Sequence, residues 1–189
     1  RAERAGSMSI SQHFSQTYAE ARAKFLAATE AAGLDVESHL HPMLGRDGEP
    51  LAMDVVRDGP KDARSLLVIS SACHGVEGFC GSGVQTMLLC DRSWRDAVRD
   101  TAQDKGVAVL YIHALNPYGF SWWRRTTQEN VALNRNFHDF HAPLPPNAAY
   151  DELAAPIVPS DAPPAPEPAT PAHPLATRPR VAARHAPPP

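Results

Sequence analysis

The sequence predicts an α/β domain built around a strand–helix–strand unit and followed by a proline-rich tail. Residues 66–69 (LLVI) and 107–115 (VAVLYIHAL) have the branched, apolar composition of buried strands. Residues 81–99, which lie between these runs, have the apolar spacing of a helix. A strand, a helix and a second strand over about 50 residues form a βαβ unit, whose two strands run parallel.

The N-terminal part predicts a helix and two strands. We expect a helix over residues 11–32, started by Ser11 and ended by Gly33. Residues 36–40 alternate weakly and predict a short strand, which Pro42 should break. Alternation over residues 51–55 predicts a half-buried strand with these apolar side chains on one face: Leu51, Met53 and Val55. In the helix over residues 81–99 we expect four side chains to face inward: Val84, Met87, Leu88 and Val98.

The composition argues against several classes of protein. The 189 residues include 18 basic and 21 acidic ones, mixed along the chain, and the net charge of −3 gives no basis for binding nucleic acid or an anionic membrane. Cys73, Cys80 and Cys90 are odd in number and lack zinc-site spacing, so we expect a reducing compartment. Neither a secretory signal nor an apolar run of roughly 18 residues is found, which favours the cytoplasm.

Proline divides the chain into unlike parts, because 15 of the 19 prolines lie between Pro143 and Pro189. An Ala/Pro-rich segment without apolar periodicity cannot bury enough surface to offset its ordering entropy. We therefore expect a disordered leader (1–10), an α/β domain (11–150) and a disordered tail (151–189). Prolines spaced three apart (168, 171 and 174) are compatible with a PxxP ligand. A non-catalytic interaction protein whose tail binds SH3-like grooves is therefore one alternative.

A polar turn with the sequence HGVEG follows the first predicted buried strand. Its His74 and Glu77 lie where functional sites collect in open α/β sheets, at the carboxyl end of a strand. Imidazole and carboxylate are natural zinc ligands, and a catalytic zinc needs three protein ligands and an open position. Asn116, after the next strand, is expected at the same sheet edge. The two residues alone would also fit a surface histidine beside a surface glutamate.

The HGVEG turn has a second interpretation. A His-Gly sequence after a strand is typical of the oxyanion loop of α/β-hydrolases. Such enzymes also need a G-x-S-x-G nucleophile, and the nearest approach here is Gly81-Ser82-Gly83, whose spacing differs. A serine hydrolase is therefore a further alternative.

Residues 120–140 hold neither the helical nor the strand period and are rich in arginine, asparagine and aromatic residues. Guanidinium groups bind carboxylates bidentately, so this loop can hold an acidic group. The candidate residues are Arg124, Arg125, Asn134 and Arg135. A solvated basic loop above packed tryptophans is the alternative interpretation.

Three motifs in order, HGVEG, NPYGF and VALNRNF, with an arginine between the last two, resemble the first half of the M14-type zinc carboxypeptidases. The resemblance is greatest to their DUF2817 branch and covers about residues 18–150. It implies an α/β fold with a mixed, mostly parallel sheet flanked by helices. It also implies that His74 and Glu77 are two of three Zn²⁺ ligands and that Arg125 stabilises the oxyanion. Asn134 and Arg135 would hold the terminal carboxylate of the substrate.

The resemblance thus implies a zinc-dependent hydrolase that cuts an amide bond beside a free carboxylate, in a peptide or an N-acyl amino acid. Bound zinc lowers the pKa of water towards about 7 and polarises the carbonyl group. An arginine aimed at the developing oxyanion favours the transition state over the ground state.

The chain departs from the family pattern at several positions. Ala132 replaces an aspartate, so a contact that orients a zinc ligand is expected to be missing. The third ligand, a histidine, and the catalytic glutamate should come later, and no convincing candidate is found. The residues considered are His138, His141, Glu167, His173 and His185.

We therefore expect a truncated or frame-shifted copy whose activity is in question, with foreign sequence from near Ser160. Its partial sheet should expose an edge and an apolar face.

Overall fold

The structure is a computed structural model of the chain. It describes residues 9–100, 106–137, 139, 141–143, 146, 149 and 152–153. The chain divides into two units, Arg1–Leu144 and Pro145–Pro189. Nearly all of the predicted leader and tail lies outside the described residues, so the expectations for them stay predictions.

The described part of the first unit is a four-stranded sheet with helices. Its elements are α1 (Tyr18–Ala31), β1 (Val36–Leu44), β2 (Pro50–Asp58), β3 (Ser65–Ser70), α2 (Gly78–Cys90), α3 (Arg92–Asp100), β4 (Val107–His113) and α4 (Pro117–Ser121). The strand order is β1-β2-β4-β3. The α/β class, the mixed sheet and the parallel pairing of β3 with β4 are confirmed. The other two pairings described are antiparallel, so the expected parallel share of the sheet was too high.

Helix α1 begins later than predicted. Ile10–His13 form a separate 3-10 helix, and the cap of α1 is Thr17 rather than Ser11. The Thr17 side chain accepts a hydrogen bond from the Glu20 amide at 3.1 Å, which satisfies one free donor of the first turn. Gly33 ends the helix as predicted, with a φ of +69° that favours glycine.

Strand β1 continues through Pro42, contrary to the prediction that this proline breaks it. Within the described residues β1 pairs with β2 alone and is therefore an edge strand, where a missing amide donor is tolerated. The register shifts between Leu40 and Leu44, so the irregularity surrounds the proline.

Strand β2 buries a different face from the one that its apolar alternation predicted. Met53 and Val55 are only partly buried, whereas Leu51 is buried as expected. The fully buried positions alternate with them: Ala52, Asp54, Val56 and Asp58. The side with two carboxylates is thus the more deeply buried one.

Arginines from two helices make this burial possible. Arg22 of α1 forms two hydrogen bonds with Asp54, Nε to Oδ2 at 2.7 Å and Nη2 to Oδ1 at 3.0 Å. Arg95 of α3 donates from Nε to Asp58 Oδ2 at 2.9 Å. A buried charge needs a partner and hydrogen bonds of this kind to offset its loss of hydration.

Strand β3 was predicted to be buried, but among the described strands it is an edge strand, and several of its apolar side chains are exposed. Leu66, Leu67 and Val68 are 47%, 42% and 50% exposed. The central β4 is the buried partner, with Ala108, Val109 and Tyr111 at most 1% exposed. The prediction for β4 and the expected exposed apolar edge are both confirmed.

The helix predicted over residues 81–99 is two helices, α2 and α3, which Asp91 separates. The Asp91 side chain accepts from the Ser93 amide at 2.9 Å and so starts a new helix. Val98 faces inward as predicted, but Val84 is 37% exposed. No helix in the described ranges is long and apolar enough to cross a membrane.

Candidate metal centre

The HGVEG and NPYGF turns lie against each other at one edge of the sheet. The amide of Gly75 donates to the Arg124 carbonyl at 2.8 Å. A Cβ atom on Gly75 would overlap the carbonyl oxygens of Gly119 and Arg124, so glycine is required for this approach. The two turns are therefore packed backbone to backbone.

Asn116 connects β4 to this edge, where the sequence placed it. Its amide donates to the Ala72 carbonyl at 3.0 Å, which extends the pairing of the β3 and β4 segments. Its Oδ1 accepts from the Gly119 amide at 2.8 Å and caps α4. Asn116 is 3% exposed, so its side chain shapes the turn rather than facing a ligand.

Three predicted site residues meet in front of these turns. His74 Nδ1 lies 3.1 Å from Glu77 Oε2, and His74 Nε2 lies 2.9 Å from Asn134 Oδ1. The His74 side chain is 11% exposed and that of Glu77 is 72% exposed. Asn134 is also exposed, and it lies 60 positions from His74 along the chain. The ring is thus held on both sides, while the carboxylate remains open to solvent.

A 3-10 turn, Leu133–Arg135, presents Asn134 to the histidine. The Ala132 carbonyl accepts from the Arg135 amide at 3.0 Å and from Asn136 Nδ2 at 2.9 Å. Local hydrogen bonds therefore fix the turn before any ligand is considered.

The remaining predicted residues, Arg125 and Arg135, are both exposed. Arg124 differs from them, because its Nη2 is hydrogen-bonded to Asn130 Oδ1. Among the described residues, no ion pair is formed by Arg125 or Arg135, and both side chains are exposed. The structure does not bring either one to His74 by a hydrogen bond.

The geometry of His74 and Glu77 fits two ligands of one zinc ion. One ring nitrogen, Nε2, faces the Asn134 amide, and the other, Nδ1, faces the Glu77 carboxylate, and the contacts fit more than one tautomer of the ring. With a proton on Nδ1 the 3.1 Å contact is an ordinary hydrogen bond to the carboxylate, and with Nδ1 deprotonated its lone pair and a carboxylate oxygen are placed to share one cation. Two ligand atoms at tetrahedral zinc distances lie roughly 3.3 Å apart. Among the described residues no group of three His, Cys, Asp or Glu side chains surrounds such a position, so a third ligand is not found there.

A second polar pair, which sequence reasoning missed, lies in the core. Ser82 Oγ and His113 Nε2 are 2.8 Å apart, and the His113 ring stacks on Phe25 with centroids 4.6 Å apart. Burial lowers the pKa of His113 from 6.5 to about 4. Ser82 is 2% exposed and His113 is fully buried, so the pair offers a substrate no accessible nucleophile. A histidine inside a predicted buried strand was the signal that could have found it.

Solved structures similar to this chain include several carboxypeptidases. A candidate carboxypeptidase A from Shewanella denitrificans OS-217 is 20% identical over 67% of this chain and 33% of its own, with a TM-score of 0.45. A metallo-carboxypeptidase from Burkholderia cenocepacia is 18% identical over 76% of this chain and 39% of its own, with a TM-score of 0.44. The chain therefore spans little more than a third of these proteins. No curated protein matches it.

One family model, described as "Protein of unknown function (DUF2817)", matches residues 14–184. The match includes most of the proline-rich segment and gives no support to foreign sequence from near Ser160. It spans far more than half of the 189 residues. The chain belongs to the DUF2817 family.

Proposed function

We propose that the chain carries part of the active site of a zinc-dependent hydrolase of the metallocarboxypeptidase kind. The observation that supports this most is the meeting of His74, Glu77 and Asn134 at the carboxyl edge of the sheet. Three residue types suited to a metal site converge from segments 60 positions apart. A chance surface pair would not explain why both nitrogens of one ring are engaged.

His74 and Glu77 would hold the zinc ion, together with a third ligand from outside the described residues. When bound, zinc acts as a Lewis acid and lowers the pKa of its water. The carboxylate is 72% exposed and the imidazole is mostly covered, so the ion would lie at the solvent side of the turn. This placement leaves one side open to a substrate.

The proposed substrate class rests on the two exposed arginines of the neighbouring loop, for which the described residues show no ion pair. Arg125 would donate to the carbonyl oxygen of the scissile amide, and Arg135 would bind a carboxylate. Asn134 uses Oδ1 for His74, so its Nδ2 remains to donate to the same carboxylate. These roles fit a peptide or an N-acyl amino acid with a free carboxylate.

A zinc titration of the full chain against a chelator of known affinity tests the proposal. His74→Ala and Glu77→Ala should each weaken zinc binding at least tenfold, because each removes a ligand. The structure supplies a matched control in His39, whose Nε2 lies 3.3 Å from Glu37 Oε1 in an exposed pair on β1. His39→Ala should leave the zinc affinity unchanged. Equal affinities in the His74 and His39 variants would refute the proposal.

A further inference from the structure

We propose that Arg46, in the hairpin turn between β1 and β2 (residues 45–49), is a positioning residue for Arg125. Its guanidinium group stacks on Trp123 and thereby fixes the backbone from which the Arg125 side chain projects. The inference deepens the proposed function, and its meaning for catalysis rests on the role proposed there for Arg125.

The stack joins two segments that are far apart in the sequence. The central carbon of the Arg46 guanidinium lies 3.9 Å from the centroid of the Trp123 ring. A guanidinium group within about 6 Å of the face of a tryptophan is attracted to the ring. Both residues are exposed, so burial does not force them together. The attraction between cation and ring therefore holds the indole against the hairpin turn.

The backbone of Trp123 shows that this position is held against a cost. Its φ is +54°, in the left-handed region that a large side chain seldom adopts. Such a conformation persists only where the surrounding contacts determine it. Relaxation to a negative φ would swing the indole away from Arg46 and would redirect the chain just before Arg125. The stack and the backbone conformation thus depend on each other.

The residues that precede the stacked ring are tied to the same hairpin turn. The Arg46 amide donates to Ser121 Oγ at 2.9 Å, and this hydroxyl donates in turn to Glu49 Oε1. Trp122 Nε1 donates to the Leu44 carbonyl at 3.3 Å. The hairpin turn therefore supports a run of three residues that leads towards Arg125.

The residue after the ring is held by the candidate metal centre itself. The Arg124 amide donates to the Gly119 carbonyl at 2.8 Å, and the Arg124 carbonyl accepts from the Gly75 amide at 2.8 Å. Arg125 follows directly and is exposed. Its backbone is thus fixed by the HGVEG turn on one side and by the hairpin turn on the other.

The proposed role of Arg125 makes this support matter. A guanidinium that donates to a carbonyl oxygen must lie within about 2.7–3.2 Å of it. A misplacement of about 1 Å, even one caused far from the reacting atoms, can cost about 10²-fold in rate. An arginine on an exposed loop meets this requirement only if the backbone at its base is held.

Amide hydrogen exchange of the full chain tests the positioning without any ligand. The Arg124 amide reports on the backbone beside Arg125, and the amide of the fully buried Tyr111 in β4 reports on global unfolding. Arg46→Ala removes the stack, whereas Trp123→Phe keeps an aromatic face for the cation. Asp47→Ala is the matched control, because it removes only the exposed ion pair of Arg46, in which Nε lies 3.5 Å from Asp47 Oδ1.

We expect Arg46→Ala to speed exchange at Arg124 by about two- to fivefold and to leave exchange at Tyr111 unchanged. Trp123→Phe and Asp47→Ala should both remain close to the wild type. Unchanged exchange at Arg124 in Arg46→Ala would overturn the inference. An equal change in Asp47→Ala would also overturn it, since the ion pair and not the stack would then hold the loop.

Binding of N-acetyl-leucine, an N-acyl amino acid with a free carboxylate, gives a readout that loss of loop order alone would not move. The guanidinium NMR signal of Arg125, identified by its loss in Arg125→Lys, should shift on binding, and Arg46→Ala should weaken this binding. Full binding in Arg46→Ala beside a loss in Arg125→Lys would overturn the inference. A wild type that does not bind the probe would count against the proposed function, and the exchange result would still decide whether Arg46 positions the loop.

Discussion

The backbone of Gly75 lies against the carbonyl oxygen of Gly119, a residue of the next turn at this edge of the sheet. The contact fixes the turn that carries His74 against the turn that begins α4. The Gly75 amide adds a hydrogen bond to the Arg124 carbonyl at 2.8 Å. The candidate site is therefore built on a rigid contact between two strand ends, where side chains are positioned more accurately than on a free loop.

Gly75→Ala should damage both stability and the site, because its new methyl group meets backbone atoms that cannot move aside. We expect a loss of about 1–3 kcal/mol in the free energy of unfolding, with weaker zinc binding. Denaturant unfolding and a zinc titration measure the two effects. Gly48→Ala is the comparison, since its Cβ would meet nothing within 4 Å and is disfavoured only by a φ of +81°. If Gly48→Ala also weakens zinc binding, the contact at Gly75 has no special role in the site.

Arg22→Ala should strongly lower the free energy of unfolding, because it leaves the fully buried Asp54 carboxylate without its cation. Breaking a buried pair in this way costs about 3–5 kcal/mol. Lys24→Ala removes a half-exposed ion pair with Glu20 and a hydrogen bond to the Phe14 carbonyl, and it should cost less than Arg22→Ala because it leaves no buried charge unpaired. Chemical denaturation of both variants tests the difference. Similar losses would mean that the Asp54 pair contributes no more than an exposed one.

Stability should fall as the pH is lowered from about 6.5 to about 4. His113 has a folded-state pKa of about 4 against an ordinary value of 6.5, because burial disfavours the charged ring. As the pH falls, the unfolded chain therefore binds the proton first. Neutral His113 makes its full contribution to the free energy of unfolding above about pH 6.5, and this contribution is lost progressively as the pH falls towards about 4. The loss should reach roughly 3 kcal/mol near the lower end of this range.

Melting curves of the wild type and His113→Gln across this pH range measure the effect. The variant should show a weaker dependence on pH, whereas His39→Gln, which changes a half-exposed ring, should keep the dependence of the wild type. Parallel curves for wild type and His113→Gln would contradict the assignment.

The exposed apolar edge at β3 should cause self-association that depends on concentration. Open strand edges and contiguous apolar surface both favour pairing between chains. Val68→Lys places a charge at a position that is 50% exposed and should shift the chain towards the monomer in sedimentation velocity. Ile10→Lys, at a position 69% exposed in the N-terminal 3-10 helix, should not. A wild-type chain that is monomeric at every concentration would rule out self-association through the β3 edge.

Patterns of apolar residues identified the parts of the fold whose burial is apolar. Strand β4 and most of α1 were predicted because Val109, Tyr111 and Phe25 lie inside and repeat at the expected periods. The pattern of apolar residues did not predict the buried face of β2, because the burial of Asp54 depends on an arginine 32 positions away. It also failed at β3, whose composition indicates burial but whose outer edge meets no strand in the described residues.

As with the fold, some contacts of the candidate site were predicted from the sequence and others were not. The spacing of His74 and Glu77 predicted that their side chains could meet, and the structure places them 3.1 Å apart, while metal binding by the pair stays a prediction. The contact between Asn134 and His74 could not be read from the sequence, because a turn 60 positions away creates it. The contact between Ser82 and His113 was missed because Ser82 was considered only as a poor match to a nucleophile motif and His113 only as part of a predicted strand.

The central claim is that His74 and Glu77 bind the same metal ion, and a double variant tests it most directly. Two ligands of one ion are coupled, so His74→Ala/Glu77→Ala should lose less zinc-binding free energy than the sum of the losses in the two single variants. The zinc affinity of the wild-type chain should exceed all three by at least tenfold. Equal affinity in the wild type and the double variant would show that zinc, if bound, is held elsewhere, and would contradict the account.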